Sequence, residues 1–406
     1  MRILIHLFIF LIPSLLSSQT NISDSIKSIE KNLENILTEE YKLLKKLEEL
    51  KLKESIEFLY KFGVPQYNSC SQTVKHSAMI LCYDENHEQA RWVYHIISPE
   101  IEKGAENRSN DFRVDPKITT GTAVKDDYWY SGYDRGHLAP SADFKWSKKA
   151  LSESFYYSNM SPQRPELNRK RWAELEDVFR EYVVTNKRPL WVVTGPILKE
   201  GLATIGENKV SVPEHYYKVA FDFGDTLRGI GFIMPNSECP YPVFTYAVTI
   251  DSVESITGIN FYPSLSKEDE EKVESTFELN NWSRAKDKGN ITPVHHSKLP
   301  KGKFNTIQAK YHVGEEITVC GTVVSSRYVA KSGMTYLNLD QKFPNQLFTI
   351  RIDKSSRSNF TYIPENELDG KTICVKGKIS IVSGTPTMDI KNEKAVTVVE
   401  DDEFSQ

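Results

Sequence analysis

The sequence has no apolar run of membrane-spanning length, no CxxC pair and no excess of positive charge. Spanning a bilayer takes roughly 20 consecutive apolar residues, and nothing beyond the first 18 positions approaches that. The reading is therefore of a chain without a membrane span once those positions are cleaved. Five cysteines, Cys70, Cys82, Cys239, Cys320 and Cys374, lack the ligand spacing of a zinc site and leave at least one thiol unpaired. They read as structural. A formal net charge of −4 excludes a polycation that gathers nucleic acid through its overall field. Any site for a polyanion has to be locally basic.

What the chain does contain starts with MRILIHLFIFLIPSLLSS, residues 1–18: Arg2, an apolar run from Ile3 to Ile12 broken only by His6, then a Pro-Ser break and small residues. This pattern predicts a secretory signal cleaved near Ser18 or Gln19, and hence a secreted or periplasmic protein in a compartment where disulfides form.

Residues 20–60 carry apolar side chains at Ile22, Ile26, Ile29, Leu33, Ile36, Leu43, Leu47 and Leu50, in alternating steps of four and three with only Glu40 breaking the row. Such a seam predicts a coiled-coil-like helix that could zip with a second copy through residues 22–50, or else one amphipathic helix lying on its own domain. Residues 63–280 read as a mixed α/β domain. Its strand-like runs are SAMILCYD, RWVYHIIS, PLWVVTG, YYKVAFDF, RGIGFIMP and FTYAVTI, with helical patterns near 166–183 and 267–277. Residues 281–305 are polar, broken by Gly and Pro, and read as a linker; His295 and His296 within it lack spaced partners for a metal. Residues 306–400 hold five strand-like runs and no convincing helix, which predicts a small closed barrel similar to an OB fold. Cys320 and Cys374 lie in two of those runs and are expected to be neighbours, bonded or simply packed.

Two segments carry chemistry. YDRGHLAPSADF, residues 133–144, sets an acid, a guanidinium and an imidazole within four residues, with Gly136 beside His137 so that backbone or substrate can approach closely. FYYSNMSPQRPELNRKRWAELEDVFREY, residues 155–182, ends in an amphipathic helix pattern on which Asn168, Trp172, Glu176 and Arg180 step by four. Taken singly, Asn168 could be a helix cap and Glu176 with Arg180 an ordinary exposed pair. Arg164, Arg169, Lys170 and Arg171 against Glu166 make the same segment basic in an acidic protein, which suits a phosphate backbone.

Together these segments resemble the ββα-metal, non-specific DNA/RNA endonuclease family, of the endonuclease G-like kind. The matching residues are Asp134-Arg135-Gly136-His137, Ser158-Asn159, Pro162-Gln163, Leu167-Asn168, Trp172 and Leu175-Glu176, with NDFRVD, WVVTGPIL, VPEHYYKVAF and IMPN in the family's order. The resemblance implies an α+β fold with a mixed, mainly antiparallel sheet. It implies His137 as general base, and Asn168 as the direct protein ligand of one Mg²⁺, with Mn²⁺ as a possible substitute. Glu176 would hold a metal-bound water, and Arg113, Arg135 and Arg180 would face the phosphate. Asn159 would organise the loop around the histidine, and Asp134 would support the site.

The residue types fit phosphodiester hydrolysis. An imidazole accepts water's proton near neutral pH, a hard cation offsets charge on phosphate and leaving oxygen, and guanidinium groups match phosphate oxygens. Backbone contact reads no bases, so DNA and RNA are both expected substrates. The competing readings are a non-catalytic nucleic-acid-binding protein descended from a nuclease, and a hydrolase of small phosphodiesters. In the barrel, Tyr328, Tyr336, Phe348 and Lys331 could form a single-strand platform or belong to its core.

Overall fold

In a computed structural model, residues 12–68, 70–284, 287 and 289–399 are described, the side chains of 12–21 excepted. The apolar run of the expected leader, up to Leu11, lies outside the described residues. The chain divides into two compact units, one ending at Phe58 and one beginning at Leu59. Helix α1, Ile12–Lys61, accounts for the first, and the heptad seam along it is exposed: Ile22, Ile29 and Ile36 are 60–62% accessible.

The second unit begins with strands β1 (Gln72–Lys75), β2 (Met79–Asp84) and β3 (Gln89–Ile97). After β3 the chain leaves the sheet and builds α2 (Lys125–Tyr128), β4 (Asp134–His137), α3 (Lys148–Glu153), β5 (Met160–Gln163) and α4 (Ala173–Asn186). It returns as β6 (Leu190–Pro196), makes a short hairpin of β7 (Thr204–Ile205) and β8 (Val210–Ser211), and continues with β9 (His215–Asp222), β10 (Arg228–Pro235) and β11 (Ala247–Val248).

The main sheet has the order β1-β2-β3-β6-β9-β10-β11. Every neighbouring pair in it is antiparallel, so the expected mixed sheet is corrected: no strand crosses over to lie parallel to another. FTYAVTI is also corrected. Its first part winds into a 3₁₀ turn, Val243–Tyr246, after Pro242, and only Ala247–Val248 pairs.

Strands β2, β3, β6 and β9 are buried almost throughout, as their near-continuous apolar runs require when both sheet faces are covered. Strand β10 shows how. Phe232 meets Phe179 of α4 on one face, with ring centroids 5.9 Å apart. On the other face Gly229 and Gly231 admit α5 (Ile250–Thr257) and α6 (Lys267–Glu274). A Cβ on Gly229 would stand 2.6 Å from the carbonyl oxygen of Val273, and one on Gly231 would stand 2.8 Å from Val253.

The stretch read as a linker packs at its start, while His295 and His296 further along it are exposed. In α7 (Leu279–Trp282), Trp282 is buried and stacks on Tyr182 at 4.6 Å. Arg284 pairs with Asp287 and Glu174. Beyond it lie β12 (Lys303–Asn305), β13 (Glu316–Val329), β14 (Met334–Leu339), β15 (Phe348–Ile352), α8 (Pro364–Glu367), β16 (Thr372–Val382), β17 (Thr385–Asp389) and β18 (Val396–Val398). Pairings run β13-β14-β15-β17-β16 and back to β13, with β15–β17 the parallel step of the ring. Val319, Leu337, Phe348, Ile350, Val375 and Met388 fill the interior. Phe348 is therefore core and no binding platform, whereas Tyr328 is exposed and lies under Arg357. Cys320 and Cys374 face each other in the β13–β16 register and are disulfide-bonded, as are Cys70 and Cys82; Cys239 is free and buried.

Candidate active site

Strands β4 and β5 pair antiparallel with Asp134 opposite Gln163 and His137 opposite Met160. The chain then turns through Arg164–Glu166 into a wide π-helical turn, Leu167–Trp172, which runs into α4. Such turns recur at functional sites. Here it means that Asn168 does not sit on the straight i+4 line with Glu176 and Arg180 that a regular helix predicts. The turn instead brings Asn168 over β4, where its Nδ2 donates to Asp134 Oδ2 at 2.9 Å. Arg169 grips the same carboxylate with two hydrogen bonds, of 2.8 and 2.6 Å. Burial works against ionisation of Asp134, but the bonds from Arg169 and Asn168 prevail and hold its carboxyl below the usual range. Because the amide nitrogen of Asn168 is committed, its carbonyl oxygen is the end available to a cation.

Asp134 and Asn168 line a cleft of about 340 Å³ together with Arg135, Arg108, Lys125 and Phe112. Three cationic side chains thus surround one acid, and the cleft is locally basic although the chain is not. His137 lies behind this wall. It is 8% exposed, with Phe112 and Phe155 packed edge-on against its ring at 5.8 and 4.9 Å, and its Nε2 has no hydrogen-bond partner among the described residues. Burial first, then the charges of Arg108 and Arg135, lower its pKa to about 3, so the imidazole is neutral. Arg135 lies over the Phe112 ring at 3.8 Å. One aromatic side chain therefore separates the histidine from the cleft and supports the guanidinium beside it.

The other expected residues are placed differently. Asn159 is wholly buried. Its side chain accepts from the Ala139 N–H at 2.9 Å and donates to the carbonyls of Ala139 and Ser154, pinning the loop after His137 without reaching the cleft. Arg113 does not line the cleft; it is tied to Asp111, the Ser152 carbonyl and the Ser152 hydroxyl, and lies over Tyr156. Glu176 and Arg180 sit behind the cleft in an ionic cluster. Arg180 donates to Asp143 and Asp177 at 2.8 Å each and stands 3.9 Å from Glu176. Burial pushes the Glu176 carboxyl up against the pull of Lys218 and Arg180.

Three participants were not read from the sequence. Arg108 is the guanidinium whose charge acts on His137 and on which the charge of Glu176 acts in turn. Phe112 screens the histidine. Lys218, buried in β9, donates to Thr194 at 2.7 Å and lies over the Trp172 ring. A single lysine inside the apolar run YYKVAF was the visible signal for Lys218, since an unpaired charge is costly to bury; Phe112 stands in the matching block NDFRVD, and for Arg108 the sequence offers none. Gly136 is also explained differently from expectation. A Cβ there would stand 2.1 Å from the side chain of Gln163, so the close neighbour is the paired strand.

This ββα unit, with its basic cleft, is the site of a nuclease: the chain belongs to the DNA/RNA non-specific endonuclease family, whose model matches residues 58–268. Among its relatives, mitochondrial endonuclease G of Bos taurus is 34% identical over 223 residues, covering 51% of this chain and 73% of that one. Mitochondrial nuclease EXOG of Danio rerio is 34% identical over 227 residues, covering 51% and 65%. A nuclease of Nostoc sp. is 34% identical over 208 residues, covering 48% and 74%. His137 and Asn168 fall within the matched region; the C-terminal strand ring lies beyond it.

Proposed function

We propose that the protein is an exported, metal-dependent endonuclease that hydrolyses phosphodiester bonds in DNA and RNA, with His137 as the general base. The observation that carries this reading is the junction of β4 and the π turn. It sets an oriented carboxamide and a guanidinium on one basic cleft, with an imidazole that carries an unpartnered nitrogen just behind the Phe112 side of that cleft.

Arg108, Arg135 and Lys125 would hold the phosphate. Its negative charge offsets the two guanidinium groups that depress His137, so the imidazole becomes a better base when substrate is bound. Approach of the strand requires Phe112 to swing from the histidine. His137 Nε2 then takes the proton of a water whose oxygen forms the new bond to phosphorus, the bond from phosphorus to the leaving oxygen breaks, and that oxygen is protonated from solvent.

The residues present fit a hard cation. Asn168 offers an amide oxygen, its orientation is fixed by Asp134, and its other neighbours in the cleft leave room for water. Mg²⁺, with Mn²⁺ as substitute, would be held by Asn168 and would supply charge neutralisation at the phosphate. Glu176 would act from behind, through the charge it presents toward Arg108.

Export is supported by the leader pattern and by the two disulfides, which suit an oxidising compartment. The exposed seam of α1 supports self-association through residues 22–50. We read the strand ring, with a parallel β15–β17 step and α8 between β15 and β16, as an OB-like barrel that assists substrate capture through exposed surface near Tyr328.

The test is digestion of plasmid DNA and of RNA by purified mature protein and by His137→Ala, with Mg²⁺ or with chelator. Magnesium-dependent cleavage of both polymers by wild type, and a loss of at least 100-fold in the variant, is expected from the usual weight of a general base. Equal activity in the two proteins would remove His137 from the mechanism.

A further inference from the structure

On the face of the main sheet away from α4, three carboxylates converge. Asp251 and Glu254 stand one turn apart on α5, and Glu274 is the last residue of α6; one oxygen from each lies within 4.8 Å of the others. The cluster runs from solvent inward, with Asp251 exposed, Glu254 half-buried and Glu274 only 1% accessible. Oε1 of Glu274 has no hydrogen-bond partner among the described residues. Glu254 uses one oxygen to accept the Phe261 N–H at 2.8 Å.

Among the described residues, no positive charge is found acting on Glu274 or Glu254. After burial, the charges acting on Glu274 are those of Glu254, Glu270 and Asp251, and the charges acting on Glu254 are those of Asp251 and Glu270. Glu274 also stands at the C-terminal end of its helix, where the peptide dipoles present negative charge. A buried carboxylate without a partner, beside other carboxylates and at that end of a helix, is unfavourable unless a cation or a proton neutralises it. A proton satisfies one oxygen of one residue, whereas a cation satisfies all three side chains at once, and Asp251 exposes the outer edge of the group to solvent.

We infer that Asp251, Glu254 and Glu274 form a second cation site, for a hard divalent ion of the calcium type, that ties α5 to α6 across the glycine face of β10. The donors are all carboxylate oxygens, which excludes preference for soft metals. One oxygen of each residue lies within 4.8 Å of the others, inside the span of one coordination shell; three protein carboxylates suit calcium, which takes about six to eight oxygen ligands, whereas magnesium keeps several waters and is usually held by about one or two carboxylates. The site is independent of the nuclease reading: it shares no residue with the cleft and lies on the other face of the sheet.

The test uses the full mature chain stripped of metal with chelator. Thermal unfolding is followed against added CaCl₂ or MgCl₂, and Tb³⁺ luminescence is excited through tyrosine, since Tyr262 lies close enough for Glu274 and Glu254 to act on its hydroxyl. Calcium is expected to raise the melting temperature saturably, as a ligand bound only to the folded state does. Tb³⁺ emission should rise and be competed away by calcium. Glu274→Gln and Asp251→Asn should each weaken binding at least tenfold, while Asn168→Ala, in the catalytic cleft, leaves it unchanged. Should Glu274→Gln fail to fold, the exposed Asp251→Asn decides alone. The inference is overturned if calcium gives no shift and Tb³⁺ no emission, if both persist undiminished in Asp251→Asn, or if Asn168→Ala abolishes them. An equal shift with magnesium would overturn the calcium preference.

Discussion

Asp134→Ala separates the two things that the aspartate does. Its carboxylate accepts from Asn168 Nδ2 at 2.9 Å and takes a double bond pair from Arg169. Arg169 is 68% exposed on its side-chain surface, so solvent screens that half of the contact and it contributes little to stability. The bond from Asn168 is half-buried and ends on a charged acceptor, worth roughly 1.5–3 kcal/mol. The variant should therefore remain folded. Its magnesium response should change far more, because removing a partner that orients a metal ligand commonly costs about 10–100-fold in affinity, or about 1.4–2.7 kcal/mol. The assay is the initial rate of plasmid nicking across a magnesium titration. The half-saturating concentration is expected to rise about 10–100-fold, with the unfolding transition still cooperative. Arg169→Ala serves as the control, since it leaves the Asn168 bond intact and should move the magnesium curve much less. The reasoning fails if Asp134→Ala leaves the half-saturation point unchanged, or if Arg169→Ala is equally damaging.

His137 gives a stability prediction with a definite sign. Its pKa is about 3 folded against 6.5 as a free side chain, so between those values the unfolded chain binds a proton that the native state does not. Stability is intact above about 6.5 and falls as pH drops, by up to about 1.4 kcal/mol per pH unit. Urea unfolding of wild type and His137→Gln between those limits should show a shallower fall in the variant, and parallel slopes would refute it. Gly229→Ala places a methyl against the Val273 carbonyl, and should cost about 1–3 kcal/mol by chemical denaturation through overpacking. Replacing Cys320 and Cys374 by serine should cost about 2–4 kcal/mol, seen as a lower denaturation midpoint that reductant no longer shifts further at that site. In α1, Ile29→Glu should reduce the oligomer seen by light scattering toward monomer, because it places charge on the exposed seam.

The chemistry of the site was legible in the sequence to the extent that motif residues are local. Asp134 to His137 is one strand, and Asn168 begins the following helical segment, so their proximity follows from one strand pairing and one turn. The antiparallel order of the main sheet was less legible, because fully buried strands such as MILCYD have no alternation from which to read direction or register. Arg113 illustrates the limit differently. An arginine in a motif-like string looks available, yet Asp111 and Ser152, one of them 39 residues away, engage its Nη1 and Nη2. Arg108 is the converse: its surroundings offer no pattern, and only the fold sets its charge beside His137. The π turn was illegible for a similar reason, since LNRKRW fits a regular helix equally well and nothing local in it marks the wider winding. The linker looked solvated because Trp282 and Arg284 stand among polar residues, and their partners, Tyr182 and Glu174, lie about 100 positions earlier in the chain.

The central claim is that His137 and Asn168 serve one reaction in one cleft. Its most direct test is the rate of plasmid cleavage by His137→Ala, Asn168→Ala and the double variant at fixed, saturating magnesium. Groups acting as a unit give non-additive losses, so the double variant should be scarcely slower than the worse single one. Losses that simply multiply would contradict the claim.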